Sequence, residues 1–131
     1  MDRTYLNPEA LSPPPGGIYS HVVKAGQVVY LSGQLSRNAA GEIVGAGDAA
    51  AQYRQVRSNL KAALGSVGAT LADLVKTTTY VVGEENLAAV RAVRQENLVE
   101  PPPTSTMVVV AALASPGYLV EVDAIAVLDS A

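Results

Sequence analysis

The sequence predicts an α+β domain: one β-sheet with two helices on a single face, in the order β-β-α-β-α-β-β. Three observations predict it. Runs rich in Val, Ile, Thr and Tyr recur with turn residues between them, as strands require. Two longer segments instead carry apolar residues at helical spacing. The 131 residues, 49% hydrophobic and 16% charged, suffice for one domain with its own core and leave no room for a second.

The elements follow in order. Residues 1–16 are expected to be irregular, because Ser12-Pro13-Pro14-Pro15-Gly16-Gly17 fits neither a helix nor a central strand. A strand over 18–24 and a second over 28–32 flank the short turn Ala25-Gly26-Gln27 and read as an antiparallel hairpin. A helix spans about 48–67, with Asp48 as N-cap. Tyr53, Val56, Leu60, Ala63, Leu64 and Val67 form its apolar stripe, and Gly68 ends it. The segment Val75 to Val82 is a strand. A second helix over 84–98 starts on Glu84 and Glu85, which favour the positive end of the helix dipole, and Pro101-Pro102-Pro103 breaks it. Two strands, 105–113 and 118–128, close the chain around Ser115-Pro116-Gly117.

The last two strands bear on assembly. Met107 to Leu113 is apolar at both alternating sets of positions. One set can face the helices, and no third helix exists to cover the other. A neighbouring subunit is the economical cover. In the final strand Val120, Val122, Ala124, Ala126 and Leu128 share one apolar face. Glu121 and Asp123 lie on the opposite face, with Leu119, Ile125 and Val127. That places two carboxylates on the side assigned to the partner.

Composition excludes several function classes. The chain has no Cys, so disulfides, thiolate metal sites and cysteine nucleophiles are out. A net charge of −3 with scattered basic residues argues against nucleic acid as a partner. The first residues do not read as a secretory signal, and no apolar run approaches the roughly 20 residues of a membrane span. The expected setting is the cytoplasm, with no membrane partner. His21 is the single histidine and reads as a satisfied side chain in a strand. No His and carboxylate cluster has metal-ligand spacing, so no metal is assigned. Ser32 and Ser105 lack a nucleophile elbow, and the segment from Gly41 to Gly47 is a loop, not a phosphate cradle. Glu121 and Asp123 are the candidates for acid–base work, because acids are scarce in strands and burial at an interface raises a carboxyl pKa. Arg91, on the second helix, is a candidate for the edge of an anion-binding cleft.

Four segments together resemble one family. Gly17-Ile18-Tyr19-Ser20-His21-Val22-Val23 is similar to the first conserved strand of the RidA/YjgF (L-PSP endoribonuclease-like) family. Val29-Tyr30-Leu31-Ser32-Gly33-Gln34 resembles its SGQ strand. Asn59 to Val81 resembles its central helix–strand unit, and Glu121-Val122-Asp123-Ala124-Ile125-Ala126-Val127 its closing strand. The resemblance covers almost the whole chain in order. It implies a chorismate-mutase-like α+β fold, a homotrimer with a small-molecule cleft at each subunit interface, and hydrolysis of reactive enamines or imines without cofactor or metal. It makes Glu121 the residue that positions water and lets Tyr19 and Ser32 shape the cleft.

At one position the chain departs from the pattern. The family's PxR motif, whose Arg clamps the substrate carboxylate, reads Pro103-Thr104-Ser105 here, so Ser105 stands in its place. Met107 occupies a position that is often Cys, and Arg91 one that is often Asn. Ser105 supplies a neutral hydrogen bond where Arg would supply a bidentate cation. The expected activity is therefore an enamine- or imine-processing hydrolase acting on something other than the usual 2-imino acids. Ser105 and Glu121 are its catalytic candidates, and Tyr19, Ser32, Arg91 and Met107 its substrate contacts. The competing expectation is a trimer that binds a ligand without chemistry. A ribonuclease is disfavoured by the acidic chain and its single histidine.

Overall fold

The computed structural model describes residues 2–129. Six strands form one mixed sheet: β1 (Arg3–Leu6), β2 (Val22–Ala25), β3 (Val28–Gln34), β4 (Leu74–Val82), β5 (Thr104–Val110) and β6 (Val120–Val127). Two helices, α1 (Ala49–Gly65) and α2 (Leu87–Glu96), complete it. The strand order is β1-β2-β3-β6-β4-β5, with β4 and β5 parallel and every other pair antiparallel. The element order is β-β-β-α-β-α-β-β, one strand more than expected.

The extra strand corrects the expectation of an irregular N-terminus. Arg3 to Leu6 pair antiparallel with Ala25 to Val22 at the sheet edge. Backbone hydrogen bonds hold this edge strand. Its side chains are mostly exposed, so no hydrophobic alternation marks it in the sequence.

Other boundaries move for local reasons. β2 begins at Val22 instead of 18, because a 3-10 turn at Pro15–Gly17 puts Gly16 and Gly17 at φ +68° and +64° and keeps Ile18 to His21 out of the ladder. Asp48 caps α1 as expected, accepting from the Ala51 N–H at 3.0 Å. The helix ends at Gly65. Gly68, at φ +74°, then lets the Ala69 N–H bond back to the Leu64 carbonyl at 2.9 Å. The expected helix over 84–98 is a 3-10 turn at Glu84–Asn86 followed by the shorter α2. β5 stops at Val110, not 113. Residues beyond it form a loop that crosses β4 to reach β6.

Both helices pack on one face. Tyr53, Val56, Leu60, Ala63 and Leu64 of α1 and Val90 and Val93 of α2 meet Val29, Leu31, Val81, Val120, Val122, Ala124 and Ala126 of the sheet, all buried. The alternation predicted for β6 therefore holds, with its even-numbered residues in the core. One polar side chain crosses this layer. Gln52 of α1 is fully buried, donates to the Gly45 and Gly117 carbonyls at 3.2 and 3.0 Å, and accepts from the Leu119 N–H at 2.8 Å. It ties the β5–β6 loop to the helix, which positions the loop beside the site described next.

Candidate functional site

The outer face of the sheet, away from the helices, carries the site. The β3–β6 register shifts between Leu31, opposite Ala124, and Gln34, opposite Val122. Ser32 and Gly33 thus form a bulge with one residue more than its partner strand, a device that re-aims side chains. Gly33 lies against Glu121. A Cβ at Gly33 would fall 2.8 Å from Glu121 Cδ, so only glycine leaves the carboxyl group its place.

A cavity of about 390 Å³ opens here, and Tyr19, Ser32, Gly33, Arg37, Ser115 and Glu121 are among its walls. The Ser32 hydroxyl donates to the Ser20 carbonyl at 2.6 Å, which fixes its rotamer. The Tyr19 ring stands edge-on to His21, with centroids 5.8 Å apart and planes at 87°. His21 is buried. Its Nε2 lies 2.6 Å from the Ser12 carbonyl oxygen, which can only accept, so Nε2 carries the proton. Nδ1 then accepts from the Gln34 amide at 3.1 Å. This histidine is satisfied at both nitrogens and serves to hold Tyr19 and β3.

Electrostatics single out Glu121. Partial burial pushes its carboxyl pKa above the ordinary value, and the nearby Asp123 carboxylate pushes it further. Arg37 pulls in the opposite direction. Asp123 accepts a hydrogen bond from the Tyr80 hydroxyl at 2.9 Å, which raises the tyrosine's own pKa. A half-buried carboxyl group with a raised pKa can take a proton from water and return it to a leaving group.

The remaining sequence candidates lie elsewhere in the protomer. Ser105 pairs with Thr77 on the helix-facing side of the sheet, whereas Glu121 pairs with Tyr80 on the outer side. Ser105 borders a second cavity, of about 370 Å³, between the helices and the sheet. There its Oγ accepts from Arg94 Nη1 at 3.0 Å. Met107 follows on the same face, opposite Thr79 and half-buried against the core. Arg91 is exposed on the surface of α2, and the α2 cation beside Ser105 is Arg94. One protomer therefore brings Tyr19, Ser32 and Glu121 together, and keeps Ser105, Met107 and Arg91 apart from them. Sequence reasoning missed Gly33, Arg37 and Arg94. A glycine inside a strand pattern is a signal for a bulge or close approach and marks Gly33. Arg94 lies one turn beyond buried Val90 on α2, a second usable signal. Arg37 sits in a polar loop and carries none.

Among the described residues no group of three His, Cys, Asp or Glu side chains is placed to hold a metal. Nor is any helix among them long and apolar enough to cross a membrane.

Residues 9–128 match the family described as Endoribonuclease L-PSP. The chain belongs to this family, that of RidA and RutC. It is 32% identical over 119 residues to a 2-iminobutanoate/2-iminopropanoate deaminase of Dermatophagoides farinae, covering 91% of this chain and 92% of that one. It is 32% identical over 126 residues to the 3-aminoacrylate deaminase RutC of Acinetobacter baylyi, covering 96% and 98%. The crystal structure of RidA from an Antarctic Psychrobacter superposes with a TM-score of 0.85 at 33% identity, covering 95% of this chain and 99% of that one. The RidA fold, with its mixed sheet and two helices on one face, is thus established for the chain. Its curated relatives include deaminases of imines and of enamines.

Proposed function

We propose that this RidA-family chain hydrolyses an imine or enamine, releasing ammonia and a carbonyl compound, in clefts completed between the subunits of a homotrimer. The observation that carries this reading is the convergence of Tyr19, Ser32 and Glu121 on one cavity, with a carboxyl group whose pKa is raised. Imine hydrolysis needs few parts. Water adds to the carbon of the protonated imine as one of its protons passes to Glu121. Glu121 returns that proton to the carbinolamine nitrogen, and ammonia leaves as the carbinolamine hydroxyl gives its proton back to the carboxylate and the carbonyl forms. An enamine enters the same route after protonation at carbon. Glu121 serves both transfers, because a raised pKa makes its carboxylate a stronger base and brings its protonated form closer to the working pH, where it can donate.

Assembly follows from the outer face. Tyr30, Val108 and Val127 are 49%, 39% and 41% exposed there, a patch that calls for cover. A homotrimer would cover it and would bring the Ser105 strand of one subunit to the Glu121 cavity of the next, which a single chain cannot do across its own sheet. Ser105 would then hydrogen-bond the substrate, with Met107 and Arg91 on the cleft wall. Because Ser105 replaces a cation, the favoured substrate differs from the usual 2-imino acids.

The test is hydrolysis of imines and enamines generated in place by an amino-acid oxidase or a dehydratase, followed by ammonia release. Turnover well above the buffer rate, lost in Glu121→Gln, supports the reading. Ligand binding with no turnover on any of the panel would favour a trimer that binds without chemistry, a reading that Ser105 itself supports.

A further inference from the structure

The cavity around Glu121 contains a cation that the PxR motif does not supply. Arg37 lies in the segment between β3 and α1 and lines the same cavity as Tyr19, Ser32 and Glu121. Its guanidinium carbon stands over the Tyr118 ring, 5.4 Å from the centroid, so the cation is held by an aromatic face. Its nitrogens find no protein acceptor among the described residues, where the only ion pair joins Arg54 to Glu96. The half-buried Arg37 thus presents an unspent fork of donors.

The backbone that carries it is fixed. Buried Asn59 of α1 donates from Nδ2 to the Leu35 and Arg37 carbonyls at 3.0 and 2.9 Å. Arg37 also forms an isolated antiparallel bridge with Ile43. Arg37 is therefore held before any ligand arrives, which lowers the entropic cost of binding one. A guanidinium in a partly apolar recess matches a carboxylate in charge and bidentate shape. Glu121 does not occupy it as an ion-pair partner, which leaves that carboxyl group free for proton transfer.

We propose that Arg37 binds the substrate's carboxylate in this chain, supplying from the segment between β3 and α1 the cation that Ser105 does not provide. The inference rests on the hydrolase reading for the word substrate, and on geometry alone for carboxylate binding. It specifies an anionic substrate whose acid group lies toward the β3–α1 loop and Tyr118. Its reactive carbon lies toward Glu121.

The test measures binding and turnover separately. Calorimetry or NMR titration follows 2-oxobutanoate and 3-hydroxypropanoate, with their neutral amides as controls, on wild type, Arg37→Gln, Arg37→Lys and Arg94→Gln. Arg37→Gln should weaken carboxylate binding about 30–100-fold and leave the weak amide binding unchanged. Arg37→Lys should recover part of the loss, and Arg94→Gln, on the Ser105 side, should weaken carboxylate binding less than Arg37→Gln does. Unchanged thermal unfolding of the variants shows that the effect is not structural. Arg37-dependent binding without any imine turnover supports the inference and overturns the hydrolase reading. Turnover and carboxylate binding that survive Arg37→Gln but fail in Arg94→Gln overturn the inference and leave the hydrolase standing. Wild type that binds neither acid overturns the inference outright.

Discussion

Gly33 and Glu121 share a space that holds only one side chain. The Glu121 carboxyl group fills the position where a Cβ on residue 33 would stand, with Cδ and Oε2 at 2.8 and 2.9 Å from it. The bulge in β3 and the acid in β6 are thus one feature. Gly33→Ala should turn Glu121 out of its recess while the sheet survives. Imine hydrolysis should drop by at least tenfold, with the far-UV spectrum and oligomeric mass of wild type. Full activity in Gly33→Ala would show that the Glu121 position is not the one used.

The raised pKa of Glu121 sets two pH dependences. Hydrolysis by its basic form should rise with pH through a midpoint above the ordinary value of 4.5. Stability runs the other way. The folded state holds this proton more tightly than the unfolded chain, so its contribution falls as pH climbs from about 4.5 through the folded pKa. Glu121→Gln should therefore match wild type in thermal stability at acid pH and exceed it increasingly toward neutrality. It should keep the oligomer and lose most of the hydrolysis. Asp123→Asn, which removes a neighbouring negative charge, should lower the activity midpoint instead of abolishing turnover.

Oligomeric mass tests the uncovered face. Sedimentation or light scattering should give about three times the 13.5 kDa of one chain. Ile125 pairs with Tyr30 on the outer face. Ile125→Glu there should yield smaller species that have lost turnover but fold, because its side chain points away from the core. A wild-type monomer at micromolar concentration would remove the shared-cleft argument.

Gln52 offers a test of how the loop beside the site is held. Gln52→Met fills the same volume but leaves the Gly45 and Gly117 carbonyls and the Leu119 N–H without their partner. At about 1 kcal/mol for each lost hydrogen bond, chemical denaturation should show a loss of ~2–4 kcal/mol. Hydrogen exchange should rise first at Gly117 to Leu119. The adjoining Ala114 and Ser115 border the Glu121 cavity, so KM should increase more than kcat falls.

Ser105→Arg is the complementary experiment on the second cation. Arg94 now donates to the Ser105 hydroxyl, and a guanidinium at 105 would repel it. The variant should gain turnover on 2-imino acids relative to wild type if the shared cleft forms. An unchanged substrate preference would show that residue 105 does not reach the substrate.

The sequence by itself determined the helices, the central strands and the faces they present. Asp48 as N-cap, the stripe from Tyr53 to Leu64 and the alternation from Val120 to Ala126 are local patterns, and burial follows them directly. Its alternation also set Glu121 apart, and its resemblance to the family pointed to Tyr19 and Ser32, which line one cavity with it. Tertiary structure alone decided the rest. β1 exists because the edge of β2 offers it a backbone ladder, and no side-chain period announces such an edge. Ser105 and Glu121 lie on opposite faces because β5 pairs parallel to β4 with Thr77 opposite Ser105, while antiparallel β6 sets Glu121 opposite Tyr80. A one-residue change of register inverts a side chain's face, and pairing register is not written in either strand alone. Arg37 is the clearest case. Its meaning comes from Tyr118, Asn59 and Glu121, all distant in sequence, and a polar loop residue acquires a role only when the fold surrounds it with them.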